Sequence, residues 1–216
     1  MSFAALYAQP TRLAEPRFRG VRFKRPEDHS AASRLNACFV GIGEFAEVAK
    51  EYVIGFVPTQ APRDGVASDM SPVALLGVRP QENLFLSPGG RWDARYVPAF
   101  VRRYPFAYGI TEATRHEVVV DAACPGLGHP EGELLVSEDG GASPLMREVT
   151  RFLDIFEEEV QRTQVACARI VQLGLLKSVQ IDITLPDGNK VQAGGVHVVD
   201  EAKLRALSGD VVLELL

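Results

Sequence analysis

The segment Arg102-Arg103-Tyr104-Pro105-Phe106, with Trp92 upstream, concentrates the side chains best suited to holding a ligand. A guanidinium grips a carboxylate or phosphate through two parallel hydrogen bonds, and aromatic rings beside it supply a wall for the rest of the molecule. Adjacent arginines on a short helix point in different directions, so at most one of the two faces a given pocket. The ligand-binding candidates are Glu44, Asn83, Trp92, Arg102, Arg103, Tyr104 and Asp121; no catalytic residue is assigned. Two readings are open. In one, a carboxylate such as Glu44 or Asp121 acts as acid or base beside Trp92 and Arg102. In the other, Trp92, Phe100, Tyr104 and Phe106 are core, and the arginines pair with Glu44 or Asp121 as internal clamps.

Other chemistry is poorly supported. The loop Cys124-Pro-Gly-Leu-Gly-His129-Pro-Glu131-Gly-Glu133 collects metal-capable side chains, with His116 and Asp121 just upstream. Its spacing matches no zinc template, and on one strand His116 and Asp121 fall on opposite faces, so it reads as a solvated loop without metal. No G-x-S-x-G nucleophile motif occurs. Gly41-Ile-Gly43 lacks the third glycine and the preceding strand of a dinucleotide site. Cys38 and Cys124 read as packing residues, and His197, between apolar neighbours, as structural. No cofactor is assigned.

The elements that must position these residues follow from pattern and punctuation. Residues 10–30 crowd Arg12, Arg17, Arg19, Arg22, Lys24 and Arg25 together and read as an extended, solvated basic arm (residues 1–30), leaving a single domain over 31–216. Ala31 to Cys38 is a short helix or a loop, and Glu44 to Lys50 suits a short helix. Strands are expected at Tyr52–Val57, Val73–Val78, Asn83–Leu86, Phe106–Ile110, Glu117–Asp121 and Leu134–Val136. Turn residues separate them: Pro58, Pro62, Asp64-Gly65 and Ser71-Pro72, then Ser87-Pro88-Gly89-Gly90 and Asp139-Gly140-Gly141. Pro98 opens a helix over Ala99–Tyr104 that Pro105 stops.

The strongest pattern is a helix over 144–173. Ser143 is its N-cap, Pro144 its first residue and Gly174 its C-terminal stop. Leu145, Val149, Phe152, Phe156, Val160, Cys167 and Ile170 form one apolar stripe, and Glu158 and Arg162 stand in the favourable i, i+4 order. A hairpin follows: Val179, Ile181, Ile183 and Leu185 alternate with polar residues, Pro186-Asp-Gly-Asn189 turns, and Lys190–Val199 returns with a bulge at Gly194-Gly195. Asp200 caps a helix over Glu201–Leu207, and Val211–Leu215 closes the chain. The fold class is α+β, a mainly antiparallel sheet packed against one long helix and shorter ones.

Bulk properties set the outer bounds. The 216 residues carry 23 Lys and Arg against 28 Asp and Glu, a net charge of −5, and 46% of them are hydrophobic. That composition excludes a disordered, collagenous or coiled-coil chain. The acidic balance argues against nucleic acid or an anionic membrane surface as partner, since phosphate binding needs clustered positive charge. Three widely spaced cysteines make no disulfide framework and suit a reducing compartment. No signal-like N-terminus occurs and no stretch approaches the roughly 18 apolar residues of a membrane span, so a cytoplasmic chain is expected.

An ordered set of motifs resembles the SapC family of bacterial proteins. It runs through Glu44-Phe45, Tyr52-Val-Ile-Gly-Phe56, Leu75-Leu-Gly77, Asn83-Leu-Phe85, Gly90, Trp92 and the specific block Tyr96-Val-Pro-Ala-Phe100-Val-Arg-Arg-Tyr-Pro-Phe106. Asp121, Gly174-Leu-Leu176, Gly195 and Val199-Asp200-Glu201 complete it, covering about Glu44 to Leu215. Two departures stand out. Val53 follows Tyr52 where members typically carry Pro, and members usually continue past the last segment where this chain ends at Leu216, as a short or truncated member would. The family is named for surface layers, and its members often lie near genes for nutrient-uptake receptors and tryptophan-halogenase-like proteins. The resemblance implies a non-enzymatic binding or accessory protein tied to a surface-layer, uptake or modification system, with a protein partner or small ligand. It carries over no catalytic residue. The alternative is an enzyme whose carboxylate, arginine and aromatic pocket acts on a small molecule or peptide, and a structural surface-layer component is disfavoured by the missing signal.

Overall fold

The computed structural model describes residues 6–60, 69–110, 116–137, 141–184 and 188–215. The strands are β1 (Pro10–Arg12), β2 (Arg22–Phe23), β3 (Ala37–Phe39), β4 (Val53–Pro58), β5 (Met70–Leu75), β6 (Phe106–Ile110), β7 (His116–Asp121), β8 (Glu133–Leu134), β9 (Leu176–Thr184) and β10 (Lys190–Val199). The α-helices are α1 (Phe45–Val48), α2 (Ala99–Arg102), α3 (Pro144–Gln172), α4 (Glu201–Arg205) and α5 (Gly209–Leu215). The fold is α+β, with antiparallel sheets, one long helix and shorter helices. The chain divides into two compact units, one of Asn36–Glu82 and Glu159–Leu216, the other of Ser2–Leu35 and Asn83–Glu158. No helix among the described residues is long and apolar enough to cross a membrane.

The first unit is built on a five-stranded sheet in the order β3-β5-β4-β10-β9. β-branched and aromatic residues fill β4, and Gly55 removes a side chain where Val196 of β10 packs: a Cβ there would stand 2.5 Å from Val196 Cγ1. In β9 half-buried Val179, Ile181 and Ile183 alternate with exposed Gln180, Asp182 and Thr184, as their order in the sequence predicts. The register of β10 shifts between Ala193 and Val196, at the expected Gly194-Gly195 bulge. The later turns of α3 bring Cys167 onto Phe56 and Met70, with Phe45, Ile170 and Val171 half-buried around them.

Gly41 and Gly43 serve this packing. A Cβ on either would strike the Glu159 side chain of α3, whose Oε1 accepts Gly43 N–H at 2.5 Å, while Thr163 Oγ1 accepts Ile42 N–H at 3.0 Å. Arg162 pairs with Glu159 at 3.1 Å rather than with Glu158, because Glu159 is the carboxylate turned toward this loop. Gly174, at φ +63°, closes α3: its N–H reaches Val171 O (2.9 Å) and Leu175 N–H reaches Ile170 O (3.1 Å), the paired bonds of a Schellman end. Asp200 caps α4 through Ala202 and Lys203 N–H, and residues 209–215 form α5.

The second unit holds the sheet β1-β7-β6, the pair β2-β8, α2 and the first turns of α3. The Ser143 hydroxyl caps α3 by accepting Met146 N–H (3.1 Å) and ties that cap to the end of β8 by donating to Leu135 O (2.8 Å). Its core includes Leu13, Phe18, Phe23, Phe106, Val120, Leu135 and Leu153, with Phe23 edge-on to Phe106 at 5.2 Å.

Several elements differ from their sequence reading. The basic stretch does not lie as a solvated arm. Some of its charges form exposed pairs, such as Arg12 with Glu117 (2.6 Å) and Lys24 with Glu131 (2.8 Å), and Arg22 and Arg25 bond backbone carbonyls, while the apolar residues between them enter the core and β1 and β2 pair with β7 and β8. Residues 83–86 make no strand, only a bridge between Leu86 and Trp92. Pro98 is the N-cap of α2, not its first residue, and α2 ends at Arg102. The turn residues Pro62, Asp64-Gly65, Asp139-Gly140 and Pro186-Asp187 lie outside the described residues.

Removing the ring of Phe23, 3% exposed, is expected to cost about 3–5 kcal/mol in a urea melt of Phe23→Ala. A residue on a solvated arm would change nothing. Gly126→Ala is likewise expected to lower the melting temperature, because the new Cβ meets the unyielding backbone carbonyl of Lys24, whereas Gly89→Ala, which meets nothing, leaves it unchanged.

Candidate functional site: an arginine-lined cavity beside Tyr104

Buried Phe100 and Val101 anchor α2, and the peptide Tyr104–Pro105 is cis where the chain leaves it for β6. Val101, Arg102, Arg103 and Tyr104 form one side of a cavity of about 430 Å³ in the second unit. Val149, Phe152 and Leu153 from the first turns of α3 supply an apolar side, Leu6 and Phe106 extend it, and Arg25, Asp28, His29, Ala31 and Glu148 are also in the lining. A neighbouring cavity of about 310 Å³ shares Leu6, Asp28 and Tyr104 and reaches Asp121.

The two adjacent arginines of the motif are held differently. Arg102 Nε donates to Val97 O (2.9 Å) and Nη2 to Tyr96 Oη (3.3 Å), and its guanidinium lies 5.5 Å from the Tyr96 ring and 5.6 Å from that of Phe152. The Arg103 guanidinium lies 4.3 Å from the Phe100 ring and 4.8 Å from Phe156. Burial pulls its pKa below the ordinary arginine value, with Tyr7 alongside opposing. Arg25 Nη1 donates to Arg102 O (2.9 Å) and Tyr104 O (3.3 Å); burial and the nearby charge of Arg102 lower its pKa. Among the described residues neither Arg25 nor Arg102 forms an ion pair: carbonyl and phenol oxygens hold them instead.

Asp121, 1% exposed at the end of β7, belongs to a different construction. Its Oδ1 accepts Gln9 N–H (2.8 Å) and Ala123 N–H (3.1 Å); its Oδ2 accepts Ala8 N–H (3.0 Å) and the Tyr104 hydroxyl (3.0 Å). Tyr7 completes the knot, donating to Phe106 O (2.8 Å) with its ring 5.7 Å from that of Tyr104. Burial pushes Tyr7 up to about 12 and Tyr104 further, with the Asp121 charge adding to both.

The other sequence candidates lie elsewhere. Asn83 Nδ2 donates to Ala32 O (2.9 Å) and its Oδ1 accepts Phe85 N–H (2.9 Å), tying two loops of the second unit. Trp92 is buried, stacked 6.4 Å from Phe85, and touches the cavity through His29, whose ring meets it edge-on at 5.6 Å. Glu44 lies in the first unit, where its carboxylate accepts Gly41 N–H (3.1 Å). The structure thus gathers Arg102, Arg103 and Tyr104 at one cavity and Asp121 beside it. Arg25, Asp28 and His29 were not singled out as site residues, because the charge density around them reads as a solvated stretch; Pro26 and His29 are the local signals that it is not uniform. His29 Nδ1 is buried without a hydrogen bond among the described residues, and burial lowers the pKa of the ring, so it is neutral at pH 7. Among the described residues no three His, Cys, Asp or Glu side chains converge to hold a metal.

Asp121→Ala leaves three N–H groups and a phenol without their acceptor, each worth about 1–3 kcal/mol when buried. A loss of roughly 3 kcal/mol or more in a denaturant melt is expected; a loss below about 1 kcal/mol would show that the knot is dispensable. The Tyr7 phenol predicts the alkaline limb. Its folded pKa is raised, so its stabilisation is fully present below pH 10 and lost as pH rises toward about 12. Tyr7→Phe should therefore make the fall in stability over that range shallower, as read from melts at successive pH values.

A family model, SapC, matches residues 13–216. No curated protein and no solved structure matches the chain. The match takes in the basic stretch from Leu13 onward as well as the Tyr96–Phe106 block and the hairpin, so nearly the whole chain belongs to the SapC family.

Proposed function

We propose that this chain is a non-catalytic binding or accessory protein of a bacterial surface-layer, uptake or modification system, that it works in the cytoplasm, and that the cavity beside Tyr104 takes its ligand. The observation carrying this reading is the state of the arginines. Arg25 and Arg102 line the cavity with their positions fixed by carbonyl and phenol oxygens and with no carboxylate neutralising them among the described residues. A preformed cationic edge over an apolar wall suits binding, because little reorganisation is needed when a ligand enters.

The competing reading, an enzyme using a carboxylate here, draws less support from the same geometry. Asp121 spends both oxygens on four hydrogen bonds, a structural commitment that leaves poor access for a substrate proton. Glu44 is engaged with the backbone of the first unit.

Native mass spectrometry of the protein purified from its own host tests the proposal. A retained small molecule, or a stoichiometric protein partner, is expected, and Arg102→Gln should lose the small molecule. Ligand-free monomer throughout, together with turnover of a small molecule by the same preparation, would contradict it.

A further inference from the structure

We infer that the ligand of this cavity is an amphiphilic monocarboxylate: a short apolar body against Val149, Phe152 and Leu153, with its carboxylate on the guanidinium of Arg102. The inference deepens the proposed function and rests on its reading of the cavity as a ligand site.

Charge selects the sign and size of the headgroup. Among the described residues the cavity is lined by Arg25, Arg102 and Arg103 with Asp28 and Glu148, and Arg25 and Arg102 form no ion pair there, so its cationic side chains are the ones open to a ligand's charge at Arg102. A cation would face three guanidinium groups. A divalent anion would place more negative charge beside Asp28, whose carboxylate is held ionised by Ser30 N–H at 2.8 Å, and inorganic phosphate has no apolar body for the rest of the wall. A single negative charge meets the unused N–H groups of Arg102 with the least repulsion from Asp28.

Geometry favours a planar carboxylate. With Nε on Val97 O and Nη2 near Tyr96 Oη, the guanidinium of Arg102 is fixed in orientation, and it retains N–H groups that those two acceptors do not use. The Phe152 ring, 5.6 Å from that guanidinium, places apolar surface next to the headgroup position. From there Val149 and Leu153, on the same face of α3 one helical turn apart, continue the wall toward Leu6 and Phe106. At about 430 Å³ the cavity is near the small end of ligand sites, which suits a short aliphatic or single-ring body rather than a long lipid chain.

Isothermal titration of the full-length chain with octanoate, octanamide and inorganic phosphate tests this. Octanoate is expected to bind, octanamide about tenfold or more weakly because the charge-assisted bonds are lost, and phosphate not measurably. Arg102→Gln should weaken octanoate about tenfold or more while leaving the melting temperature within a degree or so, since the side chain is exposed and its partners are solvent-accessible. Ala31→Trp, at the cavity wall, should block octanoate by filling the space, which separates binding in the cavity from binding elsewhere. Equal binding of octanoate and octanamide overturns the carboxylate assignment but leaves the cavity as a ligand site. Phosphate binding as tightly as octanoate overturns the amphiphile. Octanoate binding that survives both Arg102→Gln and Ala31→Trp, or no binding of any probe, overturns the inference; a ligand-free protein from the host would then remove the ligand-site reading as well.

Discussion

At the end of β7 a carboxylate with almost no solvent contact accepts hydrogen bonds from two residues of the N-terminal segment, from Ala123 and from Tyr104. A buried charge is tolerated only where donors replace its hydration, and here they come from segments that the pairing of β1 and β6 with β7 also brings together. Asp121 N–H also reaches Pro105 O, and Ala122 N–H reaches Gln9 O, so the backbone repeats the tie made by the side chain. Residues 6–9 are thereby fixed beside Tyr104, and Leu6 becomes a wall of both neighbouring cavities. Together with the strand pairing, this acceptor fixes the Leu6 side of the candidate site.

The arginines around the cavity follow a different logic. A guanidinium is weakly hydrated and planar, so it can rest on aromatic faces and carbonyl oxygens without a carboxylate. Arg102 does so beside Tyr96 and Phe152, while Arg103 lies against Phe100 and Phe156 with the charge of Glu157 acting on it. The segment Tyr96–Phe106 thus serves core and site together. Phe100, Val101 and Phe106 anchor it, while Arg102 and Tyr104 present polar atoms at the edge of the space those rings enclose. The aromatic residues position the arginines, and neither the core reading nor the pocket reading describes the block alone.

Much of the fold was legible because strong local signals coincide with the tertiary arrangement. The stripe of α3, its Ser143 cap and Gly174 stop, the alternation in β9 and the Gly-Gly bulge in β10 all read directly from residue order. The basic stretch did not, because six cationic side chains outweigh Leu13, Phe18 and Phe23 in any composition window, yet those three apolar residues decide where it packs. Residues 83–86 look strand-like, but Asn83 uses its side chain to bond Ala32 O and Phe85 N–H, which holds the segment in a loop. Within the site, the motif residues Arg102, Arg103 and Tyr104 were visible as a block. Asp121 was visible as a residue but not in its role, since two of its four partners are backbone groups more than a hundred residues away that leave no side-chain pattern to read.

Hydrogen exchange of the Ala8 and Gln9 amides measures the tie on which this arrangement rests. Both N–H groups should exchange slowly in the native protein, near the rate of the β6 and β7 core, and Asp121→Asn should release them selectively while β9 and β10 stay protected. Fast exchange of both amides in the unmutated chain, or protection unchanged by Asp121→Asn, would contradict the role given to Asp121.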